Sequence, residues 1–130
     1  CRITQHGGVA LIADYGNRRS LGDTLQSLRS HHRVPPLLHP GLADLTAHVD
    51  FEALAKASPS AHTRPTDQGV FLERLGITPR ANQLVKSLQG SALTSHIAAH
   101  RRLTHPSEMG TLFKAMGLFP ASAPPPPGLD

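Results

Sequence analysis

Tryptophan is missing from this sequence, and tyrosine and cysteine each occur once, as Tyr15 and Cys1. A lone cysteine excludes an intramolecular disulfide and any multi-cysteine zinc site, and it fits a reducing compartment; Cys1 is not assigned as a nucleophile. With four phenylalanines and twelve prolines, core-forming material is thin for 130 residues. No apolar run approaches the ~18 residues of a membrane span, and no basic-then-apolar leader opens the chain, so neither membrane nor export is indicated. Thirteen Lys and Arg stand against nine Asp and Glu. They are scattered, only Arg18-Arg19 and Arg101-Arg102 being adjacent, and they lack the interleaved aromatics of a nucleic-acid surface. Hydrolase and nucleotidase signatures are missing too: there is no Gly-x-Ser-x-Gly elbow, no Walker loop and no Gly-x-Gly-x-x-Gly after a strand.

What is present begins with Gly8-Val9-Ala10-Leu11-Ile12-Ala13, an apolar run ended by Asp14-Tyr15-Gly16. Such a run predicts a strand buried on both faces, as in a parallel sheet with helices. A strand of that kind needs neighbours on both sides, and the remaining sequence offers at most two more candidates. The missing ones are expected upstream, which, with Cys1 at the start, reads as a truncated α/β domain.

Further along, residues 17–40 are polar and basic with Gly22, Pro35, Pro36 and Pro40 as breakers, and predict a long functional loop with a short helical possibility over 23–29. Asp50 is placed to cap a helix over 51–57 that turns Phe51 and Leu54 to the core. Residues 60–64 suit a short strand. Thr66 then caps a helix carrying Phe71, Leu72 and Leu75 and stopped by Gly76. Thr78-Pro79 opens a helix whose Ala81, Leu84, Val85 and Leu88 share a face and which ends at Gly90, and another helix covers 92–103. Residues 109–119 read as a strand. Residues 120–130, with Pro124 to Pro127 in a row, read as a disordered tail separate from the domain over 1–119.

Two constellations carry chemistry. Asp14 ends the apolar strand, and in open parallel sheets ligands bind beyond the carboxyl ends of the strands; its carboxylate could accept from an amine or guanidinium while Gly16 turns the backbone. The alternative is an aspartate that only caps the following loop. Asp44, Thr46, His48 and Asp50 crowd a helix entry with groups able to donate, accept or shuttle protons, against the alternative of an ordinary capped entry. His96 and His100 lie one helical turn apart, and His31, His32 and His39 cluster in a loop. The pair lacks the glutamate of a zinc protease motif and a third ligand, so no metal is assigned.

Several segments then resemble a known family: GVALIADYG (8–16), GDTL (22–25), PGLADLTAHVDF (40–51), QGVFLERLGITPR (68–80) and MGTLFK (109–114). Together they are similar to the C-terminal half of the MidA-like S-adenosylmethionine-dependent methyltransferases, which include a mitochondrial assembly factor for respiratory complex I. The resemblance implies the later part of a class I, Rossmann-like fold, a mainly parallel sheet with a late antiparallel strand, S-adenosyl-L-methionine as cofactor, and a protein arginine as acceptor. It places the glycine-rich cofactor loop N-terminal to everything here, so the cofactor-binding residues are not assigned. What remains implies an acceptor-side wall with Asp14, Tyr15, His48 and Asp50 as catalytic candidates and Gly16, Asp44 and Thr46 as substrate-binding ones. The implied setting is the bacterial cytoplasm, alternatively the mitochondrial matrix, with a protein substrate. A competing reading keeps the fold and drops the chemistry: a non-catalytic assembly chaperone gripping its partner with residues 17–40.

Overall fold

The computed structural model describes residues 2–129, so Cys1 lies outside the described residues. The order is α1 (Arg2–His6), β1 (Ala10–Asn17), β2 (Gln26–Arg29), β3 (His32–Val34), β4 (Asp44–Thr46), β5 (Val49–Asp50), α2 (Phe51–Ala57), β6 (Ala61–His62), β7 (Thr66–Asp67), α3 (Gln68–Arg74), α4 (Ile77–Val85), α5 (Gly90–Thr104) and β8 (Phe113–Phe119), a mixed α/β arrangement. A kinked turn over Pro106–Gly110, with Glu108 at non-helical backbone angles, joins α5 to β8.

The apolar run does form a strand, but β1 is not the one covered on both faces: Leu11 is 55% exposed and Ala13 is also exposed. That role belongs to β8, in which Ala115, Met116 and Gly117 are buried in succession. The cause is position. β8 pairs antiparallel with β1 from Ala10↔Leu118 to Tyr15↔Phe113 on one edge, and with β6 and β7 on the other. The late antiparallel strand implied by the resemblance is therefore β8. The far edge of β1 meets parallel β5 only at Gly16↔Val49 and Asn17↔Asp50. Among the described residues no strand pairs that edge over 10–15, and a mainly parallel sheet would have to continue from there.

The loop expected over 17–40 contains a β2–β3 hairpin that with β4 makes a second, three-stranded sheet, β3-β2-β4, and the helical possibility over 23–29 gives way to strand from Gln26. Asp23 Oδ1 accepts from the Leu25 N–H at 2.9 Å, a local turn that diverts the chain from helix. The hairpin then reverses at Ser30 and His31, both left-handed with φ of 49° and 64°, the geometry of a tight two-residue turn whose usual signature is glycine or asparagine.

Helix α2 starts as expected, with Asp50 accepting from the Ala53 N–H and Phe51 fully buried, although Leu54 stays 38% exposed. Thr66 does not cap α3; it lies in β7, held by pairing to Ala115. Gly76, left-handed at φ 84°, ends one helix and admits the next, while Gly90 begins α5 rather than ending α4. Of the predicted α4 face only Ala81 is buried, and Leu84 lines an open groove against α5. Where α3 and the kinked turn pass the end of α5, a Cβ on Gly69 or Gly110 would overlap the Thr104 carbonyl.

Residues 120–129 are not a disordered tail. Leu129 is 3% exposed and packs with Phe71 and Ala115, and Arg74 Nη1 donates to the Gly128 carbonyl at 3.3 Å. Proline-rich chain has little backbone entropy to lose, and the buried Leu129 and the Arg74 hydrogen bond hold it on the domain.

Candidate functional site

Backbone proximity assembles the site at the carboxyl end of β1. Gly16 is buried against Val49: a Cβ there would overlap the Val49 carbonyl oxygen and lie 2.9 Å from its amide nitrogen. Only glycine allows β5 so close, and this brings the neighbouring His48 to β1. Side chains alternate along a strand, so Tyr15 points to the face on which it meets His48 (ring centroids 5.8 Å apart, 79° between planes) and Phe113 (5.6 Å, 77°). Both contacts are edge-to-face, the arrangement aromatic quadrupoles favour.

Asp14 falls on the opposite face of the same strand. It is in register with Lys114, whose ammonium pairs with Asp67 Oδ1 at 2.9 Å and donates to the Thr111 carbonyl, while Asp14 Oδ1 accepts from the Tyr15 N–H at 2.8 Å. The structure thus brings Tyr15 and His48 together and separates Asp14 from them. The sequence grouped all three because register, which decides the face, is invisible until the partner strand is known.

The remaining candidates divide by role. Both oxygens of Asp50 are occupied, Oδ1 by the Ala53 N–H at 2.9 Å and Oδ2 by the Ser20 N–H at 3.1 Å, and these amides hold its carboxyl below the ordinary value of 3.8. Asp50 is a helix cap that ties residue 20 to α2, not a free base. Asp44 is exposed on β4, opposite Leu28. Among the described residues the buried hydroxyls of Thr46 and Ser27 have no hydrogen-bond partner. Sequence reasoning missed Thr24, whose Oγ1 accepts from the His48 N–H at 3.0 Å and links the hairpin to the site, and Phe113, whose place depends on the β1–β8 register. Beyond His48 the hairpin borders an open pocket of about 290 Å³ lined by Asp23, Thr24, Leu25, Gln26, Arg33 and His48.

The Asp50 geometry gives a pH prediction. A carboxyl whose folded pKa is depressed stabilises the fold fully above its unfolded value, near 3.8, and loses that contribution as pH falls through the lower folded value. Asp50→Asn, which still caps, is expected to flatten the acid limb of a pH-melting profile, whereas Asp50→Ala lowers the melting temperature at neutral pH. An unchanged acid limb in Asp50→Asn would show that the amides do not favour the ionised form.

The histidine pair on α5 has other duties: His96 Nε2 is 3.2 Å from the Ala81 carbonyl, and His100 Nε2 is 2.9 Å from Thr78 Oγ1. Thr78 gives its own proton to Glu73 Oε1 at 2.6 Å, which makes the His100 Nε2 the donor. Among the described residues no three His, Cys, Asp or Glu groups converge as a metal site, and no helix is long and apolar enough to cross a membrane.

A family model described as "Putative S-adenosyl-L-methionine-dependent methyltransferase" matches residues 1–67, which span the β1 end, the hairpin and the α2 cap. The chain belongs to this family. The mouse "Protein arginine methyltransferase NDUFAF7, mitochondrial" is 38% identical over 122 residues, and the Drosophila melanogaster homolog of that name is 37% identical over 123. Each match covers 92% of this chain and 28% of the relative, so the chain spans a little over a quarter of the length of the curated relatives it matches. Two crystal structures from Burkholderia thailandensis share the fold. One, 28% identical with a TM-score of 0.72, covers 96% of this chain and 34% of its own. The other, 29% identical with a TM-score of 0.70, covers 95% and 33% and is bound to S-adenosyl-homocysteine.

Chemistry in this family depends on S-adenosyl-L-methionine. Among the described residues, however, no strand leads through a glycine-rich loop into a helix: β1 passes through Gly16 into the hairpin sheet. These residues therefore do not fit a complete cofactor cradle.

Proposed function

We propose that these 130 residues form the acceptor-side wall of a protein arginine N-methyltransferase that acts in respiratory complex assembly, in the bacterial cytoplasm or mitochondrial matrix. The observation that carries this reading is the meeting of Tyr15 and His48 at the end of β1, in a chain matched over 92% of its length by relatives named for arginine methylation. The cofactor, when bound, supplies an electrophilic methyl group. The residues of this chain have the complementary task of holding a guanidinium nitrogen toward it and receiving the proton that nitrogen releases. His48 suits this task, since its ring touches Tyr15 and none of its ring nitrogens is engaged within the described residues. Tyr15 fixes the imidazole by edge-on contact. Asp14, on the other face, belongs to the row with Lys114 and Asp67 and supports the strand end.

A second reading is favoured by the exposure of Leu37 (89%) and Leu21 (81%) on the segment around the hairpin: the fold grips a partner without transferring methyl. Two measurements separate the readings. In calorimetric titration the chain is expected to bind S-adenosylmethionine no tighter than about millimolar, roughly −4 kcal/mol, and micromolar binding would place a cofactor site within these residues. In the longer protein that, on this reading, contains the chain, His48→Ala is expected to slow methyl transfer roughly 10- to 100-fold with cofactor affinity unchanged. Loss of cofactor binding would move His48 to the cofactor side. The partner-binding reading requires no methyl transfer by the unsubstituted protein.

A further inference from the structure

We propose that the pocket between the β2–β3 hairpin and His48 is a carboxylate site, which takes an acidic side chain lying within a few residues of the methylated arginine in the acceptor polypeptide. This inference rests on the reading of the chain as an acceptor-side wall and adds to it a rule for which acceptors are taken.

Register places the groups. Leu28 pairs with Arg33, so Arg33 shares a face of the hairpin with Gln26, and both residues line the pocket with His48. Among the described residues neither the Arg33 guanidinium, the Gln26 carboxamide nor the His48 ring nitrogens has a hydrogen-bond or ion-pair partner. Three side chains with donors to spare thus converge on one small space. Of the lining residues Asp23 is the carboxylate, with one oxygen already held by the Leu25 N–H, and Asp44 stands on the same sheet face across Leu28 from Arg33 without lining the pocket. A guanidinium entering here would meet Arg33 at close range, the carboxylate lining the pocket being the half-engaged Asp23. A carboxylate would find a planar fork of donors, the geometry for which arginine is suited, and a second donor in His48. At about 290 Å³ and open to solvent, the pocket can seat one acidic side chain with space left for water.

Connection to the chemistry is direct, since His48 both closes this pocket and packs on Tyr15 at the end of β1. An acidic residue seated on Arg33 would fix the register of the polypeptide and bring a nearby arginine to the Tyr15–His48 face. Arg33 itself is solvent-exposed on an edge strand, so water and salt weaken its pull and the expected selectivity is modest.

The test uses the 130-residue chain and three blocked nine-residue peptides: one with a central arginine and glutamates three residues to either side, its twin with glutamines, and a third that keeps the glutamates but replaces the arginine with glutamine. Binding is read by NMR from the Arg33 Nε–H and His48 ring signals. The first peptide is expected to bind about fivefold more tightly than its glutamine twin, with shifts at both residues. Arg33→Gln should erase that advantage, Arg33→Lys should keep part of it, and 0.5 M salt should shrink it. Because Arg33 is exposed, circular dichroism should report an unchanged fold in both variants. Equal affinity for the twins, an advantage that survives Arg33→Gln, or no binding of the first peptide at millimolar concentration overturns the proposal. The third peptide separates the two levels. If its arginine matters while the glutamates do not, the carboxylate site fails and the acceptor reading stands; if only the glutamates matter, the arginine-acceptor reading fails and the carboxylate site stands.

Discussion

Phe51→Ala is expected to remove about 3–5 kcal/mol of folding stability. Phe51 is 0% exposed and is the largest of the fully buried side chains, together with Met116 and Ser27. It is also the first residue of α2, directly after the Asp50 cap, so truncation leaves a cavity beneath the helix start. For a chain this small, with total stability on the order of 5–15 kcal/mol, that is a large fraction. A urea titration read by far-ultraviolet dichroism should show the midpoint drop sharply at an unchanged slope. A loss under about 1 kcal/mol would mean that neighbouring side chains refill the space and that Phe51 does not anchor α2.

The second large effect is expected at Gly16. Its Cα faces the backbone of Val49, whose carbonyl oxygen and amide nitrogen would both be too near a new Cβ. A backbone neighbour cannot swing aside as a side chain can, so Gly16→Ala must part β5 from β1. The cost is expected at about 1–3 kcal/mol, at the level of overpacking a core. The distinguishing readout is local: His48 moves away from Tyr15, and nuclear Overhauser contacts between the two rings disappear. Gly22→Ala is the control, since its φ of +79° is strained for alanine but no atom lies within 4 Å of the added carbon. Intact Tyr15–His48 contacts in Gly16→Ala would show that the strands have slack and that the glycine is not what sets the site.

Local chemistry made part of this architecture readable in advance. The apolar run announced β1, Asp50 followed by Phe51 and Glu52 announced α2, and Gly76 stopped a helix because it alone tolerates the left-handed turn there. Residues 109–119 showed the right element with the wrong start, because Pro106–Gly110 forms a kinked turn that hydrophobic periodicity does not encode. The hairpin was hidden for a sharper reason: its reversal places Ser30 and His31, not glycine or asparagine, at positive φ. Leu129 escaped notice because polyproline reads as tail unless the leucine's seat between Phe71 and Ala115 is known. At the site, residue types were legible and their faces were not. Tyr15 and Asp14 are adjacent in sequence and therefore point apart, and only the β1–β8 register says which of them meets His48.

The unpaired edge of β1 bears on how these residues behave in solution. Backbone amides and carbonyls over 10–15 face outward on one side, next to Val9 and Leu11, which are 57% and 55% exposed, without the lysines or prolines that discourage strand addition. Such an edge is a template: another extended segment laid along it satisfies both sets of backbone groups and covers the two apolar side chains at once. Among the described residues that edge is left open, so the solubility of the chain is expected to depend on concentration, since the same edge of a second molecule can pair with it.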